Sequence, residues 1–336
     1  MRAILCEEPG RLVLVERPEP TPSAGEVLVR IGRAGVCGTD FHIFRGKQPF
    51  LEYPRVIGHE LAGEVAEAPP GSPLSPGQRV AIIPYISCMD CVACRRGKTN
   101  CCQKIRVLGV HVDGGLCDYL SVPERNVLPV GDLPLDHAAM IEFLAISAHG
   151  VRRAAPGAGD RALVIGAGPI GMAATIFAKA RGARVTALDV RADRLDFCRT
   201  ELGADAAVEA GPDTDEALKA ITGGDFYDLV IDATGNAVSM ERGFGYVAHG
   251  GTYVLLGIVQ GSLGFSDPEF HKRETTLLAS RNATRADFEE VLAAIRVGQV
   301  PTAALATHRA PLEEVPDVLR KWMLPDAGVV KALVEI

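Results

Sequence analysis

The sequence predicts an α/β chain of two domains, one built on a parallel sheet and the other rich in β-strands. Three observations carry that prediction. The chain has 336 residues, more than the about 250–300 at which a single hydrophobic core stops growing. From about residue 161, short apolar runs alternate with helical segments, the pattern of a parallel sheet covered on both faces. Over the first 148 residues, strand-like pieces are divided by Pro/Gly turns such as PEPTPSAG and APPGSPLSPG, as in a β-rich domain with irregular loops.

The elements of the second half follow in order. ALVIG (162–166) reads as a buried strand, and IGMAATIFAKARG (170–182) as a helix that stops at Gly182. Next come a strand at 183–190, a helix at 193–202, a strand near 205–209 and a helix near 214–221. YDLVIDATG (227–235) and GTYVLLGI (251–258) supply two further strands. In the tail, TTLLAS and VVKALVEI carry strand signals on either side of a helix at 286–297. In the first half, RLVLVE, EVLVRIGRAG and RVAIIPY are the strand candidates.

Composition narrows the function classes. With 47% hydrophobic and 23% charged residues, the chain has material for sizeable cores, which excludes disorder. Thirty-five basic against 42 acidic residues give a net charge of −7, which argues against nucleic acid and anionic membranes as partners. The N-terminus mixes charges among its apolar residues, unlike a signal peptide. The longest stretch without Asp, Glu, Lys or Arg, 243–266, holds seven glycines and reads as a strand between turns, not a membrane span. A soluble, cytoplasmic protein is expected. Nine cysteines, an odd number, with no signal peptide point to metal binding or free thiols, not to disulfides.

Two motifs carry specific chemistry. Gly166-Ala167-Gly168-Pro169-Ile170-Gly171 is a G-x-G-x-x-G that follows a strand and opens a helix. Its first two glycines let the backbone approach a pyrophosphate at the helix N-terminus, and Gly171 permits close helix–strand packing. Asp189, 18 residues beyond Gly171 at the end of the next strand, can accept both ribose hydroxyls and repel a 2′-phosphate, which favours NAD over NADP. Arg194 lies nearby and opposes that preference. The second motif is Cys88-x2-Cys91-x2-Cys94-x7-Cys102. Four soft thiolates suit tetrahedral zinc. A four-iron cluster is the rival, with a third-to-fourth spacing and a missing Pro that count against it, and Cys101 is an alternative fourth ligand. Basic residues through the same stretch (Arg95, Arg96, Lys98, Lys104 and Arg106) read as neighbours of an anionic site before a nucleic-acid module.

A scattered set remains: Cys37 in Cys-Gly-Thr-Asp-Phe-His (37–42), His59 and Glu60 in Gly-His-Glu, and Glu142 in the apolar AAMIEFLAISA (138–148). Alone, Cys37 reads as a small buried hydrophobe and His59 as a structural histidine. A carboxylate in apolar surroundings, by contrast, needs a metal, a cation or a proton.

Taken in order, these five motifs resemble the zinc-dependent medium-chain dehydrogenase/reductase superfamily of alcohol, sorbitol and threonine dehydrogenases over essentially the whole length. The resemblance implies a GroES-like catalytic domain (1–148 and 273–336) carrying a four-cysteine zinc lobe, interrupted by a Rossmann NAD-binding domain (149–272). It implies a catalytic zinc at Cys37 and His59, with Glu60 and Glu142 as direct or exchanging ligands, a proton relay through Thr39 and His42, and a structural zinc in the lobe. It also extends the cofactor site to Thr234, Gly257 and Ile258, and implies a dimer or tetramer pairing through the strand near 251–258 at the Rossmann sheet edge. Phe143 stands where the family has Pro, and Pro69 where it has Gly.

HIFRGKQPFLEYPRVIGHE, CRRGKTNCC and LGVHVDGG are most similar to bacterial sugar-acid oxidoreductases of the galactonate type. The expected reaction is NAD-dependent oxidation of a secondary alcohol of a sugar acid or related polyhydroxy compound, within carbohydrate metabolism. Arg45, Lys47 and His111 are candidates to meet a carboxylate, with solvated surface as the alternative. A polyol or L-threonine dehydrogenase is the rival enzyme. A non-catalytic nucleotide-sensing regulator is the rival of another class, opposed by the presence of every zinc ligand.

Overall fold

The strand Glu26–Val36 is the spine of the first half. Alternate residues Val27, Val29 and Ile31 are buried, as a strand with one face on a core requires. It pairs antiparallel with Glu60–Glu67, Tyr119–Pro123 and Lys331–Glu335. Arg79–Ile82 and Val127–Pro129 extend the sheet on one side, and Ala306–Pro311 on the other. A separate three-stranded sheet joins Arg2–Glu8 to Arg11–Glu16 and Arg55–Val56.

The computed structural model describes residues 1–336, leaving aside the side chain of Pro325. The chain divides into two units. The first comprises Met1–Glu142, Thr284–Arg296 and Thr302–Ile336, and the second Phe143–Ala283 and Val297–Pro301. Among the described residues no helix is long and apolar enough to cross a membrane.

The second unit is a six-stranded sheet. Its strand order is Ala206–Glu209, Arg184–Asp189, Arg161–Ile165, Tyr227–Asp232, Val247–Leu255, Thr276–Ala279, all in parallel pairs. That is the doubly wound order, in which connections leave in opposite directions from the first and fourth strands and open a crevice at their carboxyl ends. The helices Pro169–Ala180, Ala192–Thr200 and Thr214–Thr222 follow the first three strands.

Three expectations need correction. The boundary expected between 272 and 273 lies too early, because Thr276–Ala279 pairs with Val247–Leu255 and belongs to this sheet. For the same reason the strand expected at 251–258 is not the sheet edge. It has neighbours on both sides, and the edge is Thr276–Ala279. The first boundary also falls earlier than 148, within the helix Ile141–Ala154. Ser147 on that helix donates to the Ile170 carbonyl at 2.7 Å, which ties it to the second unit.

Gly171 shows how tightly the first turn is built. A Cβ there would stand 1.6 Å from the Gly166 carbonyl oxygen, so only glycine lets the helix pack against the loop. Gly171→Ala should lower the free energy of unfolding by about 1–3 kcal/mol, as forced overpacking does, read by denaturant titration.

Candidate functional site

The catalytic candidates of the first unit converge because of strand register. Gly35 lies opposite Glu60, and Val36 opposite Ala332. A Cβ on Gly35 would meet the Glu60 carboxylate at 2.0 Å, so the glycine makes room for that side chain to lie across the sheet. Cys37 ends the same strand and caps the helix Gly38–Phe44, its backbone N–H donating to Asp40 Oδ2 at 2.9 Å. Ligand atoms of Cys37, His59 and Glu60 come within 4.8 Å of one another.

This cluster is largely buried, with Cys37 partly exposed. Glu60 and Asp40 are fully buried, and His59 nearly so. Burial opposes a charge on His59, yet Asp40 and Cys37 outweigh it and push its pKa well above the usual imidazole range. Burial pushes the Asp40 carboxyl up, partly offset by His59. Asp40 Oδ1 stands 3.9 Å from His59 Nδ1, and neither atom has a hydrogen-bond partner. A soft thiolate, an imidazole and orphaned polar atoms in one buried pocket fit a bound zinc ion. Asp40 is a candidate for the carboxylate that orients a ligating histidine.

The two carboxylates behave differently. Both oxygens of Glu60 accept from Lys331 Nζ, at 2.6 and 2.7 Å, so Glu60 stands beside Cys37 and His59 already paired. Burial opposes the charge on Lys331, but Glu60 outweighs it and raises its pKa. Glu142 is not in the close cluster. Its Oε1 accepts from the Tyr85 hydroxyl, while its buried Oε2 has no hydrogen-bond partner. Burial pushes Glu142 up to about 7, with His59 pulling the other way.

Thr39 and His42 share one face of the helix Gly38–Phe44, one turn apart. Thr39 is half-buried and His42 exposed. Arg45 and Lys47 are exposed, and after partial burial they are the causes that lower the His42 pKa. His111 instead accepts at Nδ1 from the Val107 N–H at 3.1 Å and stacks on Phe50 with ring centroids 6.0 Å apart.

The four-cysteine lobe is assembled by backbone donors. Cys88, Cys91, Cys94 and Cys102 bring their sulfurs within 4.8 Å of one another, and Cys101 is not in the set. The Cys102 sulfur accepts from the N–H groups of Cys88 and Lys104 at 3.2 and 3.3 Å. The N–H groups of Cys94 and Gln103 are the largest causes that draw the Cys91 pKa down to about 6. Converging N–H donors favour thiolates, so the donor set fits a closed tetrahedral zinc site.

In the second unit, a cleft of about 520 Å³ lies along the carboxyl ends of the strands. Gly166, Gly168, Asp189 and Thr234 line it. Gly168 caps the helix that begins at Pro169, Ile170 and Gly171. Asp232, which sequence reasoning passed over, accepts from the Thr234 N–H and hydroxyl and from the Ser239 hydroxyl, which fixes the far wall. Gly257 and Ile258 do not line the cleft. Gly257 packs on Gly235, where a Cβ would meet the backbone nitrogen at 2.4 Å, and Ile258 is exposed. Arg194 is half-buried and within electrostatic reach of Asp189.

Lys331 and Tyr85 are the residues that the sequence reading missed. Lysine inside the apolar VVKALVEI was the available signal for the first; Tyr85 gave none. Lys331→Met strands a buried carboxylate and should cost about 3–5 kcal/mol of folding stability, measured by denaturant unfolding; a loss below about 1 kcal/mol would contradict the role given to the pair. Cys91→Ser should remove one zinc per chain and lower the melting temperature, as a structural site contributes folding energy. Metal analysis beside calorimetry checks it, and full stability at reduced zinc content would refute it.

Comparison with known proteins agrees with this arrangement. The model of the alcohol dehydrogenase GroES-like domain matches residues 23–132, and that of the zinc-binding dehydrogenases matches residues 169–296. The chain is 43% identical over 335 residues to the L-galactonate-5-dehydrogenase of Escherichia coli K12, covering 99% of this chain and 98% of that one. Its fold matches the RspB alcohol dehydrogenase of Escherichia coli CFT073, solved with NADH, at a TM-score of 0.94 and 33% identity over 100% of this chain and 99% of that one. A zinc-binding dehydrogenase from Sinorhizobium meliloti, solved with NADP, matches at 0.92 and 29% identity over the same shares. The chain thus belongs to the zinc-dependent medium-chain dehydrogenase/reductase family, a Rossmann domain joined to a GroES-like one.

Proposed function

We propose that this dehydrogenase oxidises a secondary alcohol of a sugar acid, with NAD as hydride acceptor. The observation that carries the reading is the set of Cys37, His59 and Glu60 within 4.8 Å, with His59 and Glu60 buried. The parallel-sheet unit supplies the dinucleotide cleft beneath Gly166 and Gly168. Its overall match to a galactonate dehydrogenase, at 43% identity, supports the substrate class. When bound, zinc supplies an electrophile for the substrate oxygen and the nicotinamide accepts the hydride.

The residues of the chain do the rest. Cys37 and His59 would hold the metal, with the Asp40 carboxylate 3.9 Å from the imidazole Nδ1. Glu60 is held at both oxygens by Lys331, so the pair shapes the pocket. Glu142, anchored at one oxygen by Tyr85, keeps the other as an acceptor for the metal or its water. Thr39 and His42 are placed to carry the substrate hydroxyl proton away, while a bound nicotinamide would take up the hydride. With its pKa lowered by burial and by Arg45 and Lys47, His42 is neutral at pH 7 and can accept that proton. The same two cations are the groups available to meet a substrate carboxylate. A cytoplasmic enzyme of carbohydrate metabolism, working as a dimer or tetramer, completes the proposal.

The test is NADH formation over a panel of aldonates, their matching alditols and L-threonine. Aldonates should exceed the alditols about tenfold or more in kcat/KM, the scale of one lost charge-assisted hydrogen bond. Preference for an alditol or for threonine would overturn the substrate class and leave the dehydrogenase chemistry standing.

A further inference from the structure

Around Asp189, which lines the nucleotide cleft, lies a charge arrangement that the chemistry above leaves unused. Asp189 is held by two backbone donors, the Ala167 N–H at Oδ2 and the Arg191 N–H at Oδ1. Arg191 caps the helix Ala192–Thr200 and turns its side chain onto Asp193. Its Nε meets Oδ1 at 3.0 Å, and a terminal nitrogen meets Oδ2 at 2.6 Å. Beside the carboxylate placed to receive the ribose hydroxyls, therefore, stands a guanidinium already gripped by a forked ion pair. The planar fork of arginine matches carboxylate and phosphate equally well. A phosphate on the ribose 2′ oxygen would have to compete with Asp193 for it. Arg194, within electrostatic reach of the same carboxylate, also feels Asp193, so two acids here balance two guanidinium groups.

We infer that Asp193 is a specificity-determining positioning residue: by occupying Arg191 it denies a 2′-phosphate its counter-ion. Asp189 repels such a phosphate, and Asp193 withholds the group that would offset the repulsion. Together they set the preference for the unphosphorylated dinucleotide. This inference rests on the dinucleotide reading of the cleft.

The test is Asp193→Asn, which keeps the size and an acceptor at the start of the helix while removing the charge. The probes are 5′-AMP and adenosine 2′,5′-bisphosphate, titrated calorimetrically into the whole zinc-loaded protein. The wild type should favour 5′-AMP. In the variant, affinity for the bisphosphate should rise about tenfold, the scale of one charge-assisted contact, while that for 5′-AMP shifts less than about threefold. Adding Arg191→Ala should abolish the gain. A merely structural role for Asp193 would weaken both probes together and overturn the inference. So would an unchanged ratio, a gain that survives Arg191→Ala, or a wild type that already favours the bisphosphate. If neither probe binds the wild type, the dinucleotide reading itself falls, and the inference with it.

Discussion

One buried ion pair holds the catalytic half together. Glu60 and Lys331 lie on strands that flank the same central strand, and their contact is almost wholly removed from water. Taking two charges out of water is costly, and the attraction between them repays it only when geometry is good and the remaining donors are satisfied. Here the Lys331 ammonium reaches both Glu60 oxygens and the Val36 carbonyl. Gly35 leaves the space in which the carboxylate lies. The pair thus fixes the register of three strands at the point where Cys37 leaves the sheet.

That constraint has an electrostatic corollary. Asp40, His59, Glu60 and Glu142 are all buried, in surroundings that strengthen every interaction among them. Lys331 offsets one carboxylate and Tyr85 donates to another, which leaves Asp40, His59 and Cys37 as the unbalanced remainder. A divalent cation is the partner that such a remainder favours. The lobe solves the related problem by a different route, with backbone N–H groups instead of a side-chain cation drawing thiolates together.

Sequence reasoning reached what is local. The glycine fingerprint and the four-cysteine run are contiguous, so spacing alone points to their chemistry, whereas Cys37 and Gly-His-Glu gained a metal reading only through the family resemblance. What it missed is separated along the chain: Lys331 lies 271 residues from Glu60, and Tyr85 lies 57 from Glu142. No periodicity announces pairings of that kind; only closure of the sheet does. The second-unit strands were legible because apolar runs between helices leave little choice. The place of Thr276–Ala279 was not, because a short strand signal does not say which sheet it joins. Gly257 and Ile258 lie outside the lining of the cleft. The strand ends at Leu255, and the residues after it turn away from the cleft to pack on Gly235.

The interrupted course of the first unit also sets an order of events during synthesis. Residues 88–102 are contiguous, so the lobe can gather its thiolates as soon as that stretch has left the ribosome. The second unit, apart from its short return at Val297–Pro301, is complete once Ala283 has emerged, and domains commonly fold as units while translation proceeds. The catalytic pocket has no such freedom. Until Lys331 is extruded, Glu60 has no counter-charge and its strand lacks a neighbour two places away, so the nascent chain carries a finished nucleotide fold beside an unfinished metal site. Zinc delivered early finds its four thiols gathered in the lobe, while the catalytic pocket waits for the strand that carries Lys331.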